Sequence, residues 1–243
     1  MPSYKTNTTA RKPLHRMFTA VPSRYDLINH VITLGLDNCW RRKAAGECMS
    51  SKPERFLDLG CGTGDLAISI ARMSEPDVEV AGVDYSRPML EIAERKAKRL
   101  APAKSISFIL GDATSLPFPD GHFDCTGISF AFRNLTYKNP SAKRHLSEAC
   151  RVLKEGGRFV IVETSQPKPR LIRTIYHLYL RWFVFWLGYL ISGNKGAYHY
   201  LAESASRFYN SGEVKEMLLS AGFREVTFRP LLLGAAGIHV AVK

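Results

Sequence analysis

An α/β fold with a mostly parallel sheet is predicted by three observations. Short apolar runs alternate with segments of helical periodicity along most of the 243 residues. One such run, Phe56 to Leu59, ends in glycines at alternate positions, Gly60, Gly62 and Gly64, and a helical pattern with Leu66, Ala67 and Ile70 on one face follows at once. The next run, Val78 to Val83, ends in Asp84, 20 residues after Gly64. Strand, glycine turn and helix, then an acid closing the second strand, open a Rossmann-like nucleotide site. Glycine permits the tight turn and close approach of a ligand to the backbone, and the helix N-terminus presents amide N–H groups.

The rest of the chain extends this pattern. Residues 1–12 are polar and basic and read as a disordered tail without an apolar leader core. Ser23, with Asp26 three positions on, suits a helix start, and Leu27, Val31 and Leu34 form its stripe. Asp37 is expected to cap a further helix with Trp40 and Ala44 inward and Arg41, Arg42 and Lys43 outward. These helices precede the first strand, so they are placed as a lid over the nucleotide crevice or as packing on the sheet edge. Ser86 and Pro88 open a helix with Met89, Ile92, Ala93 and Leu100 inward. A third strand is expected over 105–110, followed by Gly111-Asp112-Ala113, and a fourth over 123–130. Pro140 starts a helix with Leu146, Ala149 and Leu153 inward and Gly156-Gly157 as its stop, before a fifth strand over 158–162 that ends at Glu163. A helix around 214–220, stopped by Gly222, leads to two last strands, 223–229 and 237–242, expected as an antiparallel hairpin at the sheet edge. Seven strands in one domain, 13–243, result, with 13–50 as lid and 168–200 as a substrate-side insertion.

Composition narrows the function classes. Apolar residues make up 45% of the chain, enough for a sizeable core. The five cysteines, Cys39, Cys48, Cys61, Cys125 and Cys150, contain no Cys-x-x-Cys pair, which suits a reducing compartment and offers no metal-site spacing. The net charge of +12 is uneven: residues 51–150 are neutral, while 151–196 carry eight Lys or Arg against two acids. Such a surface attracts anionic lipid or nucleic acid. The basic segment is also apolar, with Trp182 to Ile191 uninterrupted. Ten residues are too few to span a bilayer, and Arg181 lies in the wider segment. A core helix and an interfacial, lipid-binding helix both remain open for it.

The chemistry gathers at the carboxyl ends of the strands, where open α/β sheets bind ligands. Gly-x-Gly-x-Gly lacks the dinucleotide spacing and leans toward S-adenosylmethionine. Asp84 is placed for the ribose hydroxyls and Asp112 for an adenine amine. Asp58 and Asp65 are placed for the ammonium group or serve as ordinary strand-end and helix-turn acids. Arg133 and Asn134, after the fourth strand, are placed for substrate.

The blocks Arg24-Tyr-Asp-Leu-Ile-Asn29, Thr33-Leu-Gly-Leu-Asp37 with Trp40-Arg-Arg42, Asp58-Leu-Gly-Cys-Gly-Thr-Gly-Asp65, Gly111-Asp-Ala113, Ser129-Phe-Ala-Phe-Arg-Asn134, Arg151-Val-Leu-Lys-Glu-Gly-Gly157 and Tyr200-Leu-Ala-Glu-Ser204 resemble the menaquinone/ubiquinone C-methyltransferase family, a class I S-adenosylmethionine-dependent group. The resemblance runs from about residue 14 to the C-terminus. It implies cofactor contacts from Thr63, Asp84, Asp112, Ala113 and Ser129, beside Asp58, Gly60, Gly62 and Gly64, and no metal. It implies a polyprenyl hydroquinone substrate, demethylmenaquinol first and a ubiquinone-type benzoquinol as the alternative. Catalytic candidates are Arg133 and Asn134, then Tyr25, Asp26 and Tyr200 from the lid side, with the prenyl tail along 171–191. A cytoplasmic protein at the membrane surface follows, without nucleic acid, with a homodimer left open. Thr164 stands where the family has Phe, Tyr209 replaces a common Pro, and 233–239 only loosely follow the family ending.

Overall fold

The computed structural model describes residues 30–31, 33–102, 104–192 and 202–243. The expected tail at 1–12, the Ser23 cap, Tyr25, Asp26 and Tyr200 lie outside the described residues.

Seven strands form one sheet: β1 (Arg55–Leu59), β2 (Glu79–Asp84), β3 (Ile106–Leu110), β4 (Phe123–Ser129), β5 (Leu153–Thr164), β6 (Glu225–Leu231) and β7 (Ala236–Val242). Their order is β3-β2-β1-β4-β5-β7-β6. The first five run parallel, and β7 is antiparallel to both β5 and β6. The sequence order reverses between β1 and β4, so the crevice of the site opens there.

The central strands are covered on both faces, and alternate side chains go to two cores. Phe56, Val80, Cys125 and Val160 pack with Trp40, Ala44 and Cys48 of α1 (Leu36–Met49) and with Leu66 and Ile70 of α2 (Asp65–Met73). Leu57, Val83, Ile128 and Phe159 pack with Leu146 and Ala149, and with Val214 and Leu218. These come from helices Ala142–Arg151 and Ser211–Ser220, described below. A one-residue slip of β1 would drive Asp58 into the second core, so the sheet register also aims this carboxylate.

Among the described residues the next helices are α3 (Arg87–Leu100), α4 (Phe132–Thr136), α5 (Ala142–Arg151) and α6 (Arg170–Leu178). After α6 the chain continues through a π-helical turn, Tyr179–Val184, into α7 (Phe185–Ser192). The last helix is α8 (Ser211–Ser220), opened by a full capping box: Asn210 accepts from the amides of Gly212 and Glu213, and Glu213 accepts from the Asn210 amide.

Several expectations are corrected. β5 begins at Leu153, not at 158: Leu153 pairs with Phe123, so Leu153 and the Gly156-Gly157 pair belong to the strand, and α5 already ends at Arg151. In α3 the inward residues are Met89, Leu90, Ala93 and Ala97, whereas Leu100 is exposed while Ala97 and Ala101 beside it take the places in the core. Asp37 does not cap α1; Gly35 occupies that position and Asp37 lies inside the first turn. Arg41 is not outward but 8% exposed, while Arg42 and Lys43 do face solvent. Arg41 sits one turn beyond Asp37, on the face of α1 that meets the sheet. The late segment is helical with a largely exposed apolar face, so it is not a core helix.

Candidate active site

The cleft lies over the carboxyl ends of β1, β2 and β4, and α1 forms its fourth side. It holds about 950 Å³ of empty space, part of it open to solvent. Asp58, Gly60, Gly62, Thr63 and Asp65 line it from the glycine turn, Asp84 and Tyr85 from β2, Gly111 and Ala113 from the loop after β3, Ser129 to Ala131 and Asn134 from the end of β4, and Asp37 and Arg41 from α1.

The glycines divide the work. Gly62 has φ +54°, and a β-carbon there would meet nothing within 4 Å. Gly64 has φ +81°, and a β-carbon would lie 2.9 Å from Ala93 and 3.0 Å from Phe108. Gly62 therefore faces open space, while Gly64 lets α2 close onto α3 and β3. The turn is pinned from beside it: Oδ2 of Asp84 accepts the Gly62 amide at 2.9 Å, and Oδ1 accepts the Ser86 amide at 2.8 Å. Burial raises the Asp84 pKa above the ordinary carboxylate value.

Asp58 is 1% exposed and accepts the Ala67 amide at 2.9 Å. Burial dominates that hydrogen bond and the nearby Arg41, and lifts its pKa from 3.8 to about 8. A cation brought beside Asp58 would restore its charge. Burial, and after it the Asp58 and Asp84 carboxylates, push the Cys61 thiol up, away from the thiolate form.

Among the described residues lining the cleft, Arg41 is the one cationic side chain. Nη1 lies 3.5 Å from Asp37 and 3.5 Å from Asp65, and Nε donates to the Ser129 hydroxyl at 3.3 Å. Asp37 also accepts from Thr33 and pairs with His30, both at 3.0 Å. Lys96 of α3 pairs with Asp65 and donates to the Thr63 hydroxyl at 3.2 Å. Phe130, beside Ser129, has φ +55°, a strained conformation for an aromatic residue at the rim of a site.

Of the predicted cofactor residues, Asp58, Gly60, Gly62, Thr63, Asp84, Ala113 and Ser129 line the cleft, and Gly64 stands behind it in the packing. Asp112 lies between two lining residues, and its Oδ1 accepts the Thr114 amide at 2.9 Å. Asn134 lines the cleft but Arg133 does not. The Arg133 guanidinium is buried, 3.4 Å from Glu163 and donating to the Thr164 hydroxyl at 3.0 Å, and the Arg133 amide donates to Glu163 at 3.0 Å. Thr164 thus completes this cluster. Asp37, Arg41 and Lys96 were missed from sequence; the Asp37–Arg41 spacing of four was the available signal.

Solved structures with this fold include a SAM-dependent methyltransferase from Aquifex aeolicus, with a TM-score of 0.54 at 20% identity over 77% of this chain and 80% of that one. An O-methyltransferase family protein from Burkholderia thailandensis gives a TM-score of 0.66 at 12% identity over 94% of this chain and 61% of that one. These likenesses define a Rossmann-like α/β fold, and the family match makes the chain an S-adenosylmethionine-dependent methyltransferase. The profile of the ubiE/COQ5 methyltransferase family matches residues 5–243, and the chain belongs to that family. A demethylmenaquinone methyltransferase of Thermus thermophilus is 42% identical over 92% of this chain and 98% of its own length. One of Deinococcus radiodurans is 40% identical over 95% and 92%. A ubiquinone/menaquinone biosynthesis C-methyltransferase of Geobacter sulfurreducens is 37% identical over 93% and 87%. S-adenosylmethionine is the methyl donor of the family.

Proposed function

We propose that this enzyme C-methylates the ring of a polyprenyl hydroquinone, demethylmenaquinol to menaquinol, at the membrane surface. The observation that supports it most is the near full-length similarity to proteins named for that reaction. The relative from Geobacter sulfurreducens, whose name also includes ubiquinone, favours a benzoquinol as the second substrate to test.

The residues of the cleft fit the donor. S-adenosylmethionine supplies an electrophilic methyl group on a sulfonium, together with an ammonium, a carboxylate, a ribose diol and an adenine. Asp84 keeps lone pairs free for the ribose, and Gly62 leaves room for the sugar and tail beside the backbone. Asp58 takes the ammonium, and Arg41 takes the carboxylate by exchanging part of its contact with Asp65. Asp112 and Ala113 take the adenine.

Methylation at a ring carbon forms a carbon–carbon bond as the sulfonium–methyl bond breaks, releases the thioether and ends with loss of that carbon's own proton; it is helped when the neighbouring hydroxyl loses its proton and the oxygen charge passes to the ring. The protein's tasks are to align that carbon, hold the hydroxyl and keep water out. Asn134, which lines the cleft, holds the hydroxyl in this reading. Arg133 is permanently charged and tied to Glu163, so it acts as a positioning residue that fixes the turn carrying Asn134. Tyr25, Asp26 and Tyr200 remain candidates for the proton.

The test is methyl transfer from labelled S-adenosylmethionine to chemically reduced demethylmenaquinone, with the product weighed by mass spectrometry. A ring-methylated naphthoquinol is expected. Donor binding without transfer to any naphthoquinol or benzoquinol would overturn the proposal.

A further inference from the structure

The helical stretch from Arg170 to Ser192 carries an exposed apolar stripe that no feature of the cleft uses. Leu171 is 72% exposed, Ile175 58%, Leu178 51%, Trp182 64%, Trp186 49% and Tyr189 37%. They recur at intervals of four, three, four, four and three residues, which keeps them on one side of a helix. The opposite side is anchored: Leu180 and Val184 are buried against Ala205, with Tyr176 and Tyr179 packed beside them. The π-helical turn, Tyr179–Val184, contains both anchors, and its wider winding brings them to the protein while Trp182 stays outside.

Charge selects the occupant. From 164 to 202 the chain has no acidic residue, whereas Lys168, Arg170, Arg173 and Arg181 are all exposed. A second copy placed symmetrically on this stripe would bring like charges together. A bilayer with anionic headgroups satisfies the stripe and its basic border at once, with Trp and Tyr at the depth they favour. Among the described residues no helix is long and apolar enough to cross a membrane, so the helix lies in the surface plane. Its first residue follows the end of β5 by only six positions, so the face adjoins the strand end that carries Glu163.

We infer that the Leu171–Tyr189 face docks the enzyme on anionic lipid bilayers. The inference rests on the proposed lipid-soluble substrate and gives that reading a surface.

The test uses the full chain with phosphatidylcholine vesicles, with and without phosphatidylglycerol. Co-sedimentation is expected with the anionic vesicles and is expected to weaken at high salt. The chain has three tryptophans, and Trp40 is buried at 8% exposure, so a blue shift in emission would report Trp182 and Trp186. Replacing both, Trp182→Ser with Trp186→Ser, should lower the vesicle partition coefficient by roughly tenfold or more. The stripe is exposed, so the variant should keep the wild-type melting temperature; Leu171→Ser with Ile175→Ser provides a second variant if it does not. Unchanged binding in both variants, no binding by the wild type, or a dimer that buries the stripe and ignores vesicles would each overturn the inference. Wild-type turnover on a short-tailed, water-soluble quinol without vesicles tests the reaction separately: its loss would sink the proposed function and not the docking face.

Discussion

Asp58→Asn isolates the electrostatics of the cleft. The wild-type carboxyl is buried at the end of β1, with a pKa moved from 3.8 to about 8. An Asp raised in the folded state keeps a proton that the unfolded chain releases between those values. Its contribution is therefore most favourable below pH 3.8 and is lost progressively as pH rises toward 8. About four units at about 1.36 kcal/mol each set an upper limit of ~6 kcal/mol, and relaxation around the charge reduces this to a few kcal/mol. Asparagine keeps an oxygen for the Ala67 amide and carries no charge. Without ligand, the variant should match the wild type at acid pH and exceed it increasingly toward pH 8, by several degrees in melting temperature at about 2–4 °C per kcal/mol. Binding of S-adenosylmethionine should behave oppositely. The proposed ammonium contact needs the carboxylate, so wild-type affinity should rise from about pH 6 to 7.5, by up to roughly tenfold per unit, while the ligand's amine stays protonated. The variant should bind roughly 100-fold more weakly at pH 7.5, with the Asp58-linked rise removed. Isothermal titration calorimetry across that range, beside thermal melts, measures both. A flat wild-type affinity, or equal binding by the variant, would refute the ammonium contact; a variant no more stable at pH 8 would refute the burial argument.

Other substitutions separate ligand from scaffold. Gly62→Ala should weaken donor binding about tenfold while costing only about 1 kcal/mol of stability, whereas Gly64→Ala should cost several kcal/mol because its β-carbon meets Ala93 and Phe108; calorimetry and urea melts distinguish them. Arg41→Gln should raise the dissociation constant of S-adenosylmethionine roughly tenfold or more, with less effect on a donor analogue lacking the carboxylate. Glu163→Gln leaves Arg133 without its buried counter-charge and should cost about 3–5 kcal/mol; if Arg133 positions the Asn134 turn, kcat should fall more than the KM for donor changes. Asn210→Ala removes the α8 cap and should cost about 1 kcal/mol without changing turnover, read by thermal melts and the methyl-transfer assay.

The chain by itself determined the features that local physics writes into a sequence. Seven apolar runs marked the seven strands, though β5 starts five residues before its run, at Leu153, and the hairpin at the edge was legible from two late runs. The glycine turn and Asp84 were legible because a backbone in left-handed conformations needs glycine and the acid follows at a fixed spacing. Only the tertiary structure decided which polar groups share the cleft. Arg41 meets Ser129 across 88 residues and Lys96 meets Asp65 across 31, contacts that depend on helix packing and not on spacing. Arg133, next to a cleft residue in sequence, turns into the protein because Glu163, at the end of the neighbouring strand β5, offers it a buried partner. The apolar late segment left a core helix and an interfacial helix open, since composition cannot say which side of a helix finds neighbours. Leu180 and Val184 found them and Trp182 and Trp186 did not, because burial is a property of what packs alongside.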